Sequence, residues 1–146
     1  MIMPTRKYAI SLRQDMADLD KLQDFFEQTG QSLYLTRKCL WETSLILEEI
    51  FSNFVSHGSN GDGACSIRIT ISAAQGGVDI RVEDTCKAFN PLAVKEPDLR
   101  QDIENCTPGG LGIHLIKNFT NDIRYHRDVH RNVLMMRKEV CAQNAI

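Results

Sequence analysis

A chain of 146 residues, 42% hydrophobic and 25% charged, has the size and balance of one globular domain with a single core spanning residues 1–146. Its net charge of −2 lacks the basic bias of a nucleic-acid-binding domain. No apolar run approaches the roughly 20 residues a membrane span needs, and MIMPTRKYAISLRQD at the start has no signal-peptide h-region. The five cysteines, at 39, 65, 86, 106 and 141, are odd in number and show no C-x-x-C spacing. They read as free thiols in a reducing, cytoplasmic compartment, where they act as small apolar residues.

Between Lys7 and Leu12, residues Tyr8, Ile10 and Leu12 alternate with Ala9 and Ser11, the period of a half-buried strand. Asp15 is placed to cap a helix through Met16, Leu19, Leu22, Phe25 and Phe26 that stops near Gly30. After a connection over Gln31 to Thr36, a long helix runs from about Arg37 to His57 and closes at Gly58. Ser59 to Gly63 is a loop by composition. Cys65, Ile67, Ile69 and Ile71, then Val78, Ile80 and Val82, alternate with polar residues around Gln75-Gly76-Gly77. That pattern predicts a hairpin with one buried face.

Asp84 to Pro108 holds three of the four prolines, with a short helical turn expected over Pro97 to Ile103. A stretch this long without clear periodicity is typical of a lid or binding loop. Gly109-Gly110-Leu111-Gly112 then opens a helix through Ile113, Leu115, Ile116 and Phe119 that ends near Asn121. Two strands close the chain, Asp122 to Arg127 and Asn132 to Lys138, and their charged outer faces account for the basic residues near the C-terminus. His126 and His130 read as surface histidines, and Trp41 with the Phe25/Phe26 pair as core or as contacts of a homodimer.

Within LILEEIFSNFVSHG (45–58), Glu49, Asn53 and His57 recur every four residues and form a polar ladder on an apolar helix. Further on, Asp84 ends a strand, and GGLG before IHLIKNF combines glycines with a helix start. There, backbone N–H groups and the helix dipole favour an anion such as phosphate. No P-loop, H-E-x-x-H or G-x-S-x-G motif is present.

In this order the phrases EEIFSNFVSHG, VEDTCKAFNPLAV, GGLGIHLIKNFTNDIRY and HRNVLMMRK resemble the N, G1 and G2 boxes of the GHKL ATPase/kinase superfamily. They are most similar to its bacterial anti-sigma factor serine kinases. The resemblance covers about Leu40 to Lys138. It implies a Bergerat ATP-binding fold, an α+β two-layer sandwich of a mixed, mostly antiparallel sheet of about five strands with helices on one face. It also implies ATP and Mg²⁺ as cofactors, with Glu49 as the general base toward an attacking hydroxyl and Asn53 as the Mg²⁺ ligand. Asp84 would accept from the adenine amino group, Gly109, Gly110 and Gly112 would contact phosphate, and Asn132 would stand where relatives place an adenine-bonding Thr.

The activity so implied is that of a serine-protein kinase in a partner-switching circuit. Its partners would be a small phosphorylatable antagonist and a sigma factor or similar regulator. Two positions depart from the family pattern. Cys86 stands where a glycine usually follows the acid, so the turn there must be rebuilt or the pocket narrowed. Pro108 stands where several relatives carry a basic residue. These departures support the alternative of a nucleotide-binding or protein-binding module without turnover. A third reading, a sensor-kinase fragment, is disfavoured by the lack of a His-bearing dimerisation helix.

Overall fold

The computed structural model describes residues 6–57, 65–93 and 110–139. Its elements are β1 (Arg6–Arg13), α1 (Leu19–Ser32), α2 (Arg37–His57), β2 (Ser66–Ala74), β3 (Gly77–Asp84), α3 (Gly110–Phe119), β4 (Asp122–Asp128) and β5 (Arg131–Lys138). Short 3₁₀ turns cover Met16–Asp18 and Pro91–Ala93. The expected turn over 97–103, Pro108 and Gly109 lie outside the described residues.

The strands form one sheet in the order β1-β2-β3-β5-β4, and all four pairings are antiparallel. Gln75 (φ 54°) and Gly76 (φ 79°) make the two-residue turn between β2 and β3, the positive-φ pair that matches the twist of a hairpin. Alternation and register together write apolar rows across the sheet. One row runs Ile10–Ile69–Val82–Leu134–Tyr125 and the next Tyr8–Ile71–Ile80–Met136–Ile123. A fully buried Ile or Leu in these rows contributes about 1.5–3 kcal/mol, so this face sets the register and must be covered.

The helices supply the cover. The long helix α2 contains neither Gly nor Pro and is capped by Thr36, whose Oγ1 accepts from the Cys39 amide at 3.2 Å. It buries Ile46, Leu47, Phe51 and Phe54. From α1 come Leu22 and Phe26, and from α3 Ile113 and Ile116. Asp15 does cap, accepting from the Ala17 amide at 2.9 Å, but it caps the 3₁₀ turn rather than α1. Phe26 is core, whereas Trp41 remains 63% exposed, its ring 6.2 Å from that of Phe119.

Candidate functional site

The two apolar rows are followed, at one margin of the sheet, by a third in the same inward phase: Leu12–Ile67–Asp84–Asn132–Arg127. Period-2 geometry therefore turns Asp84 and Asn132 toward the helix side, just where the core ends. This gives a strand-end carboxylate facing the layer that carries Glu49 and Asn53.

Two contacts set the helices over that margin. At the far end, the buried Lys138 ammonium donates to Glu42 Oε2 of α2 at 2.7 Å and to the Phe119 carbonyl at the end of α3 at 2.6 Å. Seven residues along α2 and seven back along α3, Glu49 lies against Gly112. Equal steps of about 10.5 Å from a common pin make the helices antiparallel neighbours. Glu49 is thereby brought to the first turn of α3, where the amides lack intrahelical acceptors and the dipole favours negative charge. A Cβ at position 112 would overlap the Glu49 carboxylate. Glycine here permits that close approach and is not called for by a special φ. Gly110 and Gly112 already belong to the helix, so the expected glycine turn is, at these two positions, helix.

Asn53, half-buried, follows Glu49 by one turn of α2. The adjacent Phe54 carbonyl accepts from Gln14 Nε2 at 3.1 Å, and Gln14 Oε1 accepts from the Cys65 amide at 3.3 Å. Gln14 is presented by a turn clamped at Asp18, whose carboxylate accepts from the Arg13 amide and guanidinium, each at 2.8 Å. The guanidinium, then the amide, with Lys21 in support, holds the Asp18 carboxyl well below the usual carboxylate range. Gln14 therefore ties the Asn53 end of α2 to the start of β2.

From Cys65 the connection to Asp84 is covalent, because Cys65 and Cys86 form a disulfide. This corrects the free-thiol expectation for both residues, Cys39 is disulfide-bonded as well, and the cysteine-based case for a reducing compartment lapses with them. The pairing had a signal in the sequence. Counting outward from a two-residue turn at Gln75-Gly76, the register Ile67↔Asp84 continues to Cys65 opposite Cys86. Cys86 has no positive φ, so the turn after the acid is rebuilt without glycine geometry and fastened to β2. Arg127 Nη1 donates to the Cys86 carbonyl at 2.8 Å, and the Cys86 amide donates to Asp84 Oδ1 at 3.0 Å.

Asp84 Oδ1 accepts a second bond, from Asn132 Nδ2 at 2.8 Å, while Oδ2 accepts none among the described residues. Asn132 is 6% exposed, and its amide is fully engaged. Nδ2 also donates to the Lys87 carbonyl at 2.9 Å, and Oδ1 accepts from the Tyr125 hydroxyl at 2.6 Å and the Phe89 amide at 3.2 Å. The residue expected to meet a base directly touches, within the protein, the acid and its loop. Gln14, Cys65, Tyr125 and Arg127 were not singled out from the sequence, and only the cysteine had a countable signal there. His126 and His130 are exposed, and among the described residues no group of three or more His, Cys, Asp or Glu could hold a metal ion. No helix among them is long and apolar enough to cross a membrane.

Known proteins share this architecture. The chain is 26% identical over 84 residues to the serine/threonine-protein kinase BtrW of Bordetella bronchiseptica, a match covering 58% of this chain and 59% of that protein. The solved RsbU and RsbW domains of a Mycobacterium tuberculosis protein superpose with a TM-score of 0.62 at 14% identity, over 93% of this chain and 33% of that one. The histidine kinase domain of a blue-light activated kinase from Erythrobacter litoralis gives 0.53 at 11% identity, over 85% and 60%. Each match thus spans less than two thirds of its relative, and the two structures share the fold. The model of the histidine kinase-like ATPase domain matches residues 12–138, from the end of β1 to the end of β5, and the chain belongs to that family.

Proposed function

We propose that this domain is an ATP- and Mg²⁺-dependent serine-protein kinase of a partner-switching circuit, phosphorylating a small antagonist protein and holding a sigma factor or similar regulator. The observation that supports this most is the meeting of Glu49 with the first turn of α3, on the side of the sheet to which Asp84 turns. A carboxylate, a helix N-terminus and an acid with an uncommitted oxygen are the parts that phosphoryl transfer from a purine nucleotide needs, since that chemistry is mostly positioning and charge neutralisation. BtrW, a serine/threonine-protein kinase, supports the reaction class.

In this reading Asp84 Oδ2 accepts from the adenine amino group. The backbone N–H groups of Gly109, Gly110 and Gly112 contact phosphate oxygens. Glu49 takes the proton of the acceptor hydroxyl as its oxygen bonds to the γ-phosphorus and the bond to the ADP leaving oxygen breaks. Asn53 offers a neutral hard oxygen, suited to Mg²⁺ whose other ligands are phosphate and water oxygens. Bound there, the ion would neutralise charge on the transferring group.

The rebuilt, disulfide-fastened turn after Asp84 favours a second reading, a module that binds its partner without turnover. Incubating the protein with Mg-ATP and a candidate antagonist, and following phosphate onto the antagonist, separates the two. Replacing Glu49→Ala is expected to lower transfer by about 10²–10⁴-fold with ATP binding retained. Tight antagonist binding with no transfer by the unaltered protein would establish the module instead.

A further inference from the structure

We propose that Tyr125 is a positioning residue for nucleotide recognition, acting through the Asn132 amide to orient Asp84 toward the base; this rests on the reading of Asp84 as the adenine acceptor. The orientation of the Asn132 amide follows from its neighbours. On one side stand two acceptors, Asp84 Oδ1 and the Lys87 carbonyl, so the amino group must face them. On the other side the Phe89 amide is donor-only, and the Tyr125 hydroxyl gives its proton to Oδ1 across the shortest bond of the set, 2.6 Å. Of these four partners only Tyr125 comes from β4. Its ring belongs to the apolar row Ile10–Ile69–Val82–Leu134–Tyr125, so the hydroxyl is held at a place set by the core.

The consequence lies at the carboxylate. With the amide fixed, Oδ1 of Asp84 is occupied by Asn132 Nδ2 and the Cys86 amide. Oδ2 is then the oxygen left to accept from a ligand. Without the Tyr125 hydroxyl, Asn132 Oδ1 keeps only the 3.2 Å bond from Phe89. The other three partners still fix which way the amide faces, but its place is no longer held, and as Asn132 shifts, the Asp84 carboxylate bonded to Nδ2 shifts with it. Tyr125 thus acts at the exocyclic amino group of the base, not at the phosphates.

Binding of Mg-ADP and Mg-IDP by calorimetry tests this, because hypoxanthine carries an oxygen where adenine carries the amino group. The unaltered protein is expected to prefer ADP, and Asp84→Ala to lose that preference. Tyr125→Phe is expected to weaken ADP binding roughly three- to tenfold while leaving IDP binding within about twofold. Asn132→Asp sets two carboxylates face to face and is expected to weaken ADP binding further. If Tyr125→Phe binds ADP as tightly as the unaltered protein, or loses both nucleotides equally, the positioning role is overturned, even where Asp84→Ala behaves as expected. If the unaltered protein fails to prefer ADP, the adenine reading of Asp84 falls and takes the proposal with it.

Discussion

Glu49 and Gly112 meet between two helices, and a side chain added at 112 would have to displace the acid. Gly112→Ala places a methyl group where the Glu49 carboxylate lies. The flexible acid can turn aside, so the cost is about 1 kcal/mol, the low end for overpacking. Truncating the acid should relieve it. In a double-mutant cycle read by urea denaturation, Gly112→Ala is expected to destabilise the unaltered protein but to be nearly neutral beside Glu49→Ala. Equal costs in both backgrounds would mean that the carboxylate does not rest on the glycine. The Glu49/Asn53 spacing and the glycines were both visible in the sequence, because each is a local pattern. Their contact was not, because it is set by a lysine 89 positions beyond Glu49 in the chain.

That lysine works at the scale of elements. Lys138 of β5 joins the first half of α2 through Glu42 and the last turn of α3 through the Phe119 carbonyl, and both ionised side chains are buried. Removing the lysine leaves the buried Glu42 carboxylate only the exposed Lys38 ammonium at 3.9 Å, so Lys138→Met is expected to cost about 3 kcal/mol, the low end for a broken buried pair. The pair Lys138→Met with Glu42→Leu should recover most of that cost, since apolar replacement of a buried ion pair is often neutral. A double variant as unstable as the single would show the pin to be irreplaceable. The elements themselves were legible because period and punctuation are local. The interval 37–57 lacks Gly and Pro, and Gln75-Gly76 divides two alternating runs. Less legible was the start of α3, where glycines of low helix propensity are nonetheless helical, packed as Gly112 is against α2.

For the whole molecule, the Cys65–Cys86 bridge closes the β2–β3 hairpin at the margin where Asp84 sits. Cross-linking a loop of this length removes unfolded-state entropy worth about 3 kcal/mol. Dithiothreitol is therefore expected to lower the urea midpoint of the unaltered protein by more than that of a Cys65→Ser/Cys86→Ser variant, in which the disulfide of Cys39 is still present to be reduced. Coincident oxidised and reduced curves for the unaltered protein would remove the bridge from the account of its stability. Treating the cysteines by number and motif missed this, because pairing depends on register rather than on spacing along the chain.

The sheet's apolar interior does little to forbid a two-residue slip of β5, since Met136 would meet Val82 in place of Ile80. Its polar extremities forbid it outright. Such a slip would strand a buried ammonium at one end and at the other present Leu134 to the acid now served by an amide. The strand is keyed at both tips, like a ruler that fits only when its first and last marks align. The polar side chains at the two ends, Asn132 beside Asp84 and Lys138 beside Glu42, thereby proofread the assembly of the fold.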